Sequence, residues 1–283
     1  MKILITGANG QLGYWLKRVF ADDEILATDK EEMDITNREE VLKVGREFKP
    51  AVIIHAAAYT NVDGAESDQK TTFLINDEAT ENVAELAKEV GAKVVYVSTD
   101  YVFDGTATQP YKENDQTNPQ SIYGKSKLAG EKRISNLPEY IIARTAWLYG
   151  ENGLLDGARS KKNFVETMLK LAEEKTTLGV VNDQVGSPTY TKDLAGAIKK
   201  LIDKNVTGVF HAVNSGHCSW YDFACEIFRL VNKEIKVSPI STNEYPGPAK
   251  RPQYSVLSTA KLANLGIVMR DWQSALADYL KAR

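Results

Sequence analysis

At 283 residues the chain can bury a large core, as one sizeable α/β domain or a main domain with a smaller lobe. Hydrophobic residues make up 43% of it and charged residues 26%, and the formal charge of −3 is spread without long blocks. No basic stripe marks a nucleic-acid surface, and no apolar stretch approaches the length of a membrane span, so neither partner is expected. The apolar start is too short for a signal sequence and has no cleavage site before its glycines. It reads as the first strand of a cytoplasmic protein.

MKILIT reads as a strand, and Gly7, Gly10 and Gly13 follow it at GxxGxxG spacing before a helix over 11–20. A glycine turn between strand and helix lets a pyrophosphate approach the backbone at a helix N-terminus. Glu24 to Thr28 form a second strand, and Asn37 caps a helix running to Phe48. AVIIHAAA is a short continuous apolar run suited to a strand buried on both faces of a parallel sheet. A long amphipathic helix over 71–90 stops at Gly91, and the β-branched strand KVVYVST follows at 93–99. A polar loop then leads to a helix from Ser121 to Ile134 and the strand YIIARTA. Repeated strand–helix units of this kind predict an α/β fold, a Rossmann-type doubly wound parallel sheet.

After Tyr149 the pattern loosens. GENGLLDGARSKKN reads as a charged surface loop before a helix from Asn163 to Glu174. TLGVVND and GVFHAV read as two late strands of the main sheet, with a helix beginning near Thr191 between them. The proline-rich stretch around STNEYPGPAKRPQYS is an irregular loop over a binding face, and DWQSALADYLKAR is a closing helix. Residues 1–150 are therefore expected to form the dinucleotide-binding core. Residues 151–283 add late core elements and a smaller substrate-binding lobe. Cys218 and Cys225, seven apart in a segment read as helix, form no CxxC. His217 beside Cys218 makes only two ligands, so reduced buried thiols are expected and no metal.

Several residues carry chemistry. Asp29, sixteen residues after Gly13, ends the second strand, where a carboxylate can accept hydrogen bonds from ribose hydroxyls. Lys30 beside it suits a 2′-phosphate, so NADH and NADPH both stay open. Asp34 and Ile35 suit an adenine edge. Tyr123 and Lys127 are four apart on one helix face, where both can meet the cofactor and Lys127 can hold its nicotinamide ribose. An ammonium near a phenol favours the phenolate and lowers its pKa. Ser98, Thr99 and Asp100 end the preceding strand, where a hydroxyl can reach a carbonyl. Trp147 offers a flat apolar face for a sugar or a base. Arg251, next to Lys250, suits a diphosphate.

ITGANGQLG, HAAAYTNVDGAE, VSTDYVFDG, YGKSKLAGE, RTAWLYG, NDQVGSPT and AKRPQYSVL occur in this order along nearly the whole chain. In these the chain resembles the extended short-chain dehydrogenase/reductase superfamily, and within it the dTDP-4-dehydrorhamnose reductases. The resemblance implies NADH- or NADPH-dependent reduction of the 4-keto group of a dTDP-sugar. It implies cofactor contacts from Gly10, Gln11 and Leu12 and from Ala58, Tyr59 and Thr60. It makes Tyr123 the proton donor, Lys127 its partner and Thr99 the hydroxyl that polarises the carbonyl. Thr99 with Asp100, and Trp147, match positions that bind the sugar nucleotide. Certain members carry a carboxylate two residues after the third glycine that helps bind magnesium between subunits. This chain has Trp15 there, so a monomer or a homodimer held through Tyr14 and Trp15, without metal, is expected. Two other readings stay open: another nucleotide-sugar reductase or an epimerase, the latter consuming no net NAD(P)H, and a non-catalytic nucleotide-binding regulatory subunit.

Overall fold

The computed structural model of the protein describes residues 1–151, 163–245 and 247–282. Its first half runs β1 (Lys2–Thr6), α1 (Gln11–Val19), β2 (Glu24–Thr28), α2 (Arg38–Phe48) and β3 (Val52–His55). The short helices α3 (Val62–Ser67) and α4 (Gln69–Phe73) follow, and a π-helical turn over Leu74–Glu78 leads into α5 (Ala79–Val90). The long helix read over 71–90 is thus one continuous run with a π segment inside it. Gly91 ends it in the left-handed region at φ 71. Then come β4 (Lys93–Thr99), α6 (Ile122–Ile134), β5 (Tyr140–Thr145) and β6 (Leu148–Tyr149).

The six strands β2, β1, β3, β4, β5 and β10 (Gly208–His211) make the main sheet in that order, all parallel. Successive side chains of β1 face opposite ways, as the pleat requires. Ile3 and Ile5 pack with Leu12 and Leu16 of α1 and with Leu194, Ile198 and Leu201. Leu4 packs on the other face with Val41 and Leu42 of α2 and Val83 and Leu86 of α5. Both faces are covered, which is why these strands read as continuous apolar runs. The chain goes from β1 to the edge strand β2 and returns to β3, so a topological switch point lies beside β1. Ligands of open α/β sheets bind in the crevice at such a point.

The later elements are α7 (Phe164–Glu174), β7 (Thr177–Val181), β8 (Val185–Gly186), β9 (Thr189–Tyr190), α8 (Thr191–Asp203), β11 (Cys218–Ser219), α9 (Trp220–Leu230), β12 (Lys236–Ile240), α10 (Ala260–Asn264) and α11 (Trp272–Ala282). Only one late strand joins the main sheet, not two. β7 pairs in parallel with β12 instead, away from the core sheet. A third core of Tyr149, Val165, Leu178, Phe223, Ile227 and Trp272 fills this lobe. Cys218 lies in a strand rather than a helix, because Ser219 caps α9 with a capping box completed by Asp222. The tract read as a charged loop after Gly150 falls, over 152–162, outside the described residues.

Candidate active site

A cleft of about 630 Å³ opens at the C-terminal ends of the sheet strands. Gly7 sits at φ 70, and a Cβ there would come 2.7 Å from the Ala57 backbone nitrogen beyond β3. Only glycine lets these two strand ends close so tightly. The N-cap of α1 is Gly10, which brings no side chain over the first helical turn. Gly7, Gly10, Gln11, Leu12 and Gly13 all line the cleft, with Asp29, Lys30, Asp34 and Ile35 along one end. The Asp29 carboxylate accepts from the Asn9 backbone N–H at 3.1 Å and from Lys30 N–H at 2.9 Å. Asp34 accepts from the Thr36 hydroxyl at 2.7 Å, which helps hold its pKa below the usual value. A bare helix N-terminus behind a glycine turn, with a carboxylate beyond β2, fits a dinucleotide.

Ala58 and Thr60 also line the cleft, but Tyr59 is not among its lining residues. Asn76 of the π turn grips the Tyr59 backbone instead, accepting from its N–H at 2.8 Å and donating to its carbonyl at 3.1 Å. Arg251 lies off the cleft as well. Its guanidinium forms a bidentate pair with Asp63 of α3, at 3.0 and 2.7 Å.

At the other end stands α6, capped by Ser121, whose hydroxyl accepts from Gly124 N–H at 3.1 Å. Gly124 packs directly on the Tyr101 carbonyl, with no room for a side chain. This contact sets the first turn of α6 against the end of β4. Tyr123 lies beside the Thr99 side chain and meets Tyr101 edge-on, ring centroids 5.6 Å apart. Thr99 also donates to the Asp100 carboxylate at 3.0 Å, and Ser255 donates to the other oxygen at 2.5 Å. Burial pushes the Asp100 carboxyl up to about 6.

The phenol differs from the simple expectation. Burial pushes Tyr123 up to about 12, the Thr99 hydrogen bond opposes that, and the Asp100 charge adds to it. Lys127 sits with its ammonium 4.0 Å above the Tyr96 ring. Burial lowers it to about 7, while the Glu131 carboxylate pulls the other way. Tyr123 therefore keeps its proton through neutral pH, the state a proton donor needs.

Trp147 lines the cleft, but its face is not open as expected: Trp220 stacks on it with ring centroids 3.4 Å apart. Trp220 also lines the cleft and touches Phe164 at 4.5 Å. Sequence reading missed Trp220, Ser255 and Glu131. Of these only Glu131 had a local signal, four residues beyond Lys127 in YGKSKLAGE. The indole of Trp15 donates to Glu151 at 2.7 Å, and no group of three His, Cys, Asp or Glu able to hold a metal occurs among the described residues. No helix there is long and apolar enough to cross a membrane.

A doubly wound parallel sheet with a glycine turn at its switch point, and Tyr123, Lys127 and a strand-end hydroxyl lining one cleft, defines a nicotinamide-dependent oxidoreductase of the short-chain dehydrogenase/reductase type. The model of the RmlD substrate binding domain matches residues 1–283, and the chain belongs to that family. It is 44% identical to the spore coat polysaccharide biosynthesis protein SpsK of Bacillus subtilis, over 100% of this chain and 98% of that one. The crystal structure of a dTDP-4-dehydrorhamnose reductase from Clostridium acetobutylicum superposes with a TM-score of 0.93 at 47% identity, covering 100% of this chain and 99% of that one. That of the Bacillus anthracis dTDP-4-dehydrorhamnose reductase in complex with NADP gives 0.94 at 42% identity, with the same coverage.

Proposed function

We propose that this protein reduces the 4-keto group of dTDP-4-dehydro-L-rhamnose to give dTDP-L-rhamnose, using NADH or NADPH. The observation that carries the reading is that Tyr123, Lys127 and Thr99 line one cleft with the glycine turn. Full-length similarity to dTDP-4-dehydrorhamnose reductases supports the substrate.

Gly10, Gln11 and Leu12 would hold the cofactor's pyrophosphate at the α1 N-terminus, and Asp29 or Lys30 would meet its adenosine ribose. Reduced nicotinamide, when bound, supplies the hydride that no protein side chain can give. The rest falls to this chain. Thr99 and Tyr123 direct two hydroxyls at the carbonyl oxygen. As negative charge develops on that oxygen, Tyr123 gives it a proton, and Thr99 turns its hydroxyl hydrogen from Asp100 to give it a hydrogen bond. Lys127 faces the phenolate that remains and stabilises it by charge. Asp100, Trp147 and Trp220 would border the sugar nucleotide.

The test follows loss of the reduced-nicotinamide absorbance with a panel of dTDP- and UDP-4-keto sugars, with NADH and NADPH in parallel. Oxidation with the dTDP-4-keto-6-deoxy sugar is expected. Product formation without net cofactor oxidation would instead mark an epimerase.

A further inference from the structure

We infer that Glu131 is a positioning residue for this reaction: one buried carboxylate that locks the β4 strand end to the catalytic helix and supplies the counter-charge beside Lys127. The inference rests on the roles given above to Tyr123, Lys127 and Thr99.

Glu131 follows Lys127 by one helical turn, so the two side chains share a face of α6. It is only 4% exposed. One carboxylate oxygen accepts from the Ser98 hydroxyl at 2.5 Å and from Arg144 Nε at 2.9 Å, and the other accepts from Arg144 Nη2 at 2.7 Å. Ser98 immediately precedes Thr99 and stands opposite Arg144 in the β4–β5 register, as Thr99 stands opposite Thr145. A single side chain therefore ties α6, β4 and β5 together one residue from the hydroxyl that faces the substrate.

The charge arrangement points the same way. Lys127 and Arg144 are both buried cations, 2% and 4% exposed. Glu131 is the one carboxylate ion-paired with Arg144 among the described residues, and Lys127 has no ion pair there. Lys127 is otherwise faced by the neutral ring of Tyr96 on β4 and by His55 on β3, which burial keeps neutral. The acids Asp77 and Glu81 on the neighbouring helical run are taken up by Arg133. Among the described residues nothing else near Lys127 offsets the burial that strips its proton. A buried ion pair is poor as a stability device, since apolar side chains of similar volume hold elements together as well or better. Its use here fits a requirement for charge at this point.

The experiment compares Glu131→Gln with the double variant Glu131→Gln/Arg144→Met, which removes both charges and leaves no unpaired Arg144 inside. Two readouts are taken from pH 6 to 9: kcat for ketone reduction, and binding of reduced cofactor followed by its fluorescence. Without Glu131, Lys127 loses its proton at lower pH, so the alkaline fall in kcat moves to lower pH in both variants. Above the midpoint kcat drops about tenfold for each unit of that displacement. The alkaline weakening of cofactor binding moves in the same direction. Profiles that keep the wild-type midpoint while kcat is merely scaled down would show a structural role and overturn the inference. Normal turnover by Tyr123→Phe would instead overturn the underlying reading, so the two failures are told apart.

Discussion

Trp147 and Trp220 lie face to face, ring centroids 3.4 Å apart and planes within 5° of parallel. The strand β6 begins just after Trp147, whose backbone is left-handed at φ 48, an uncommon state for a bulky residue. Gly186 of β8 packs on the same indole, where a Cβ would come within 2.5 Å of the ring. Trp147 is thus wedged between two elements of the lobe, and Trp220 of α9 holds it at the cleft.

Trp220→Ala should release that hold. Aromatic pairs contribute about 1 kcal/mol beyond the area they bury, which corresponds to about a fivefold rise in KM for the sugar nucleotide. The near-ultraviolet circular dichroism of the stacked indoles should weaken in the same variant. An unchanged KM would remove Trp220 from the substrate site.

Tyr123→Phe removes the proposed proton donor and keeps the ring. General acids of this kind contribute about 10²- to 10⁴-fold, so kcat should fall within that range. The dissociation constant for reduced cofactor, measured by fluorescence, should stay close to that of the wild type. Turnover at the wild-type rate would eliminate Tyr123 as the acid.

Gly124→Ala tests the placement of the helix that carries Tyr123. An added methyl runs into the Tyr101 carbonyl, a backbone atom that cannot swing aside. The first turn of α6 must move outward, and a displacement of about 1 Å costs on the order of 10²-fold in rate. The melting temperature should fall as well. A fully active, equally stable Gly124→Ala would show that the contact is not needed.

What was legible in the sequence is what local chemistry determines. Asn37 caps α2 where the chain predicts, and α6 starts right behind Ser121, which caps it, because a cap bonds an N–H only three residues away. The pairing of Tyr123 and Lys127 follows from helix periodicity alone. The residues that the cleft lining leaves out are those decided by distant partners. Tyr59 is turned by Asn76, seventeen residues on, and Arg251 is captured by Asp63, 188 residues back. The strand character of TLGVV was plain, but the same residues pair equally well with β12 as with the main sheet. Trp220 reaches the cleft only because the lobe folds it there.

Asp100 gives a prediction in pH. Its carboxyl is 1% exposed and is raised by burial from 3.8 to about 6. Between those values the folded state binds more proton than the unfolded state. The contribution to stability is therefore complete below pH 3.8 and is lost as pH rises through 6, a change of about 3 kcal/mol. Asparagine cannot ionise but can still hydrogen-bond both Thr99 and Ser255. Urea unfolding of wild type and Asp100→Asn at pH 4 and at pH 8 isolates this group, since all other titrations are shared. The variant should gain on the wild type by about that amount at the higher pH. A stability difference that is the same at both values would show that Asp100 is not held near pH 6.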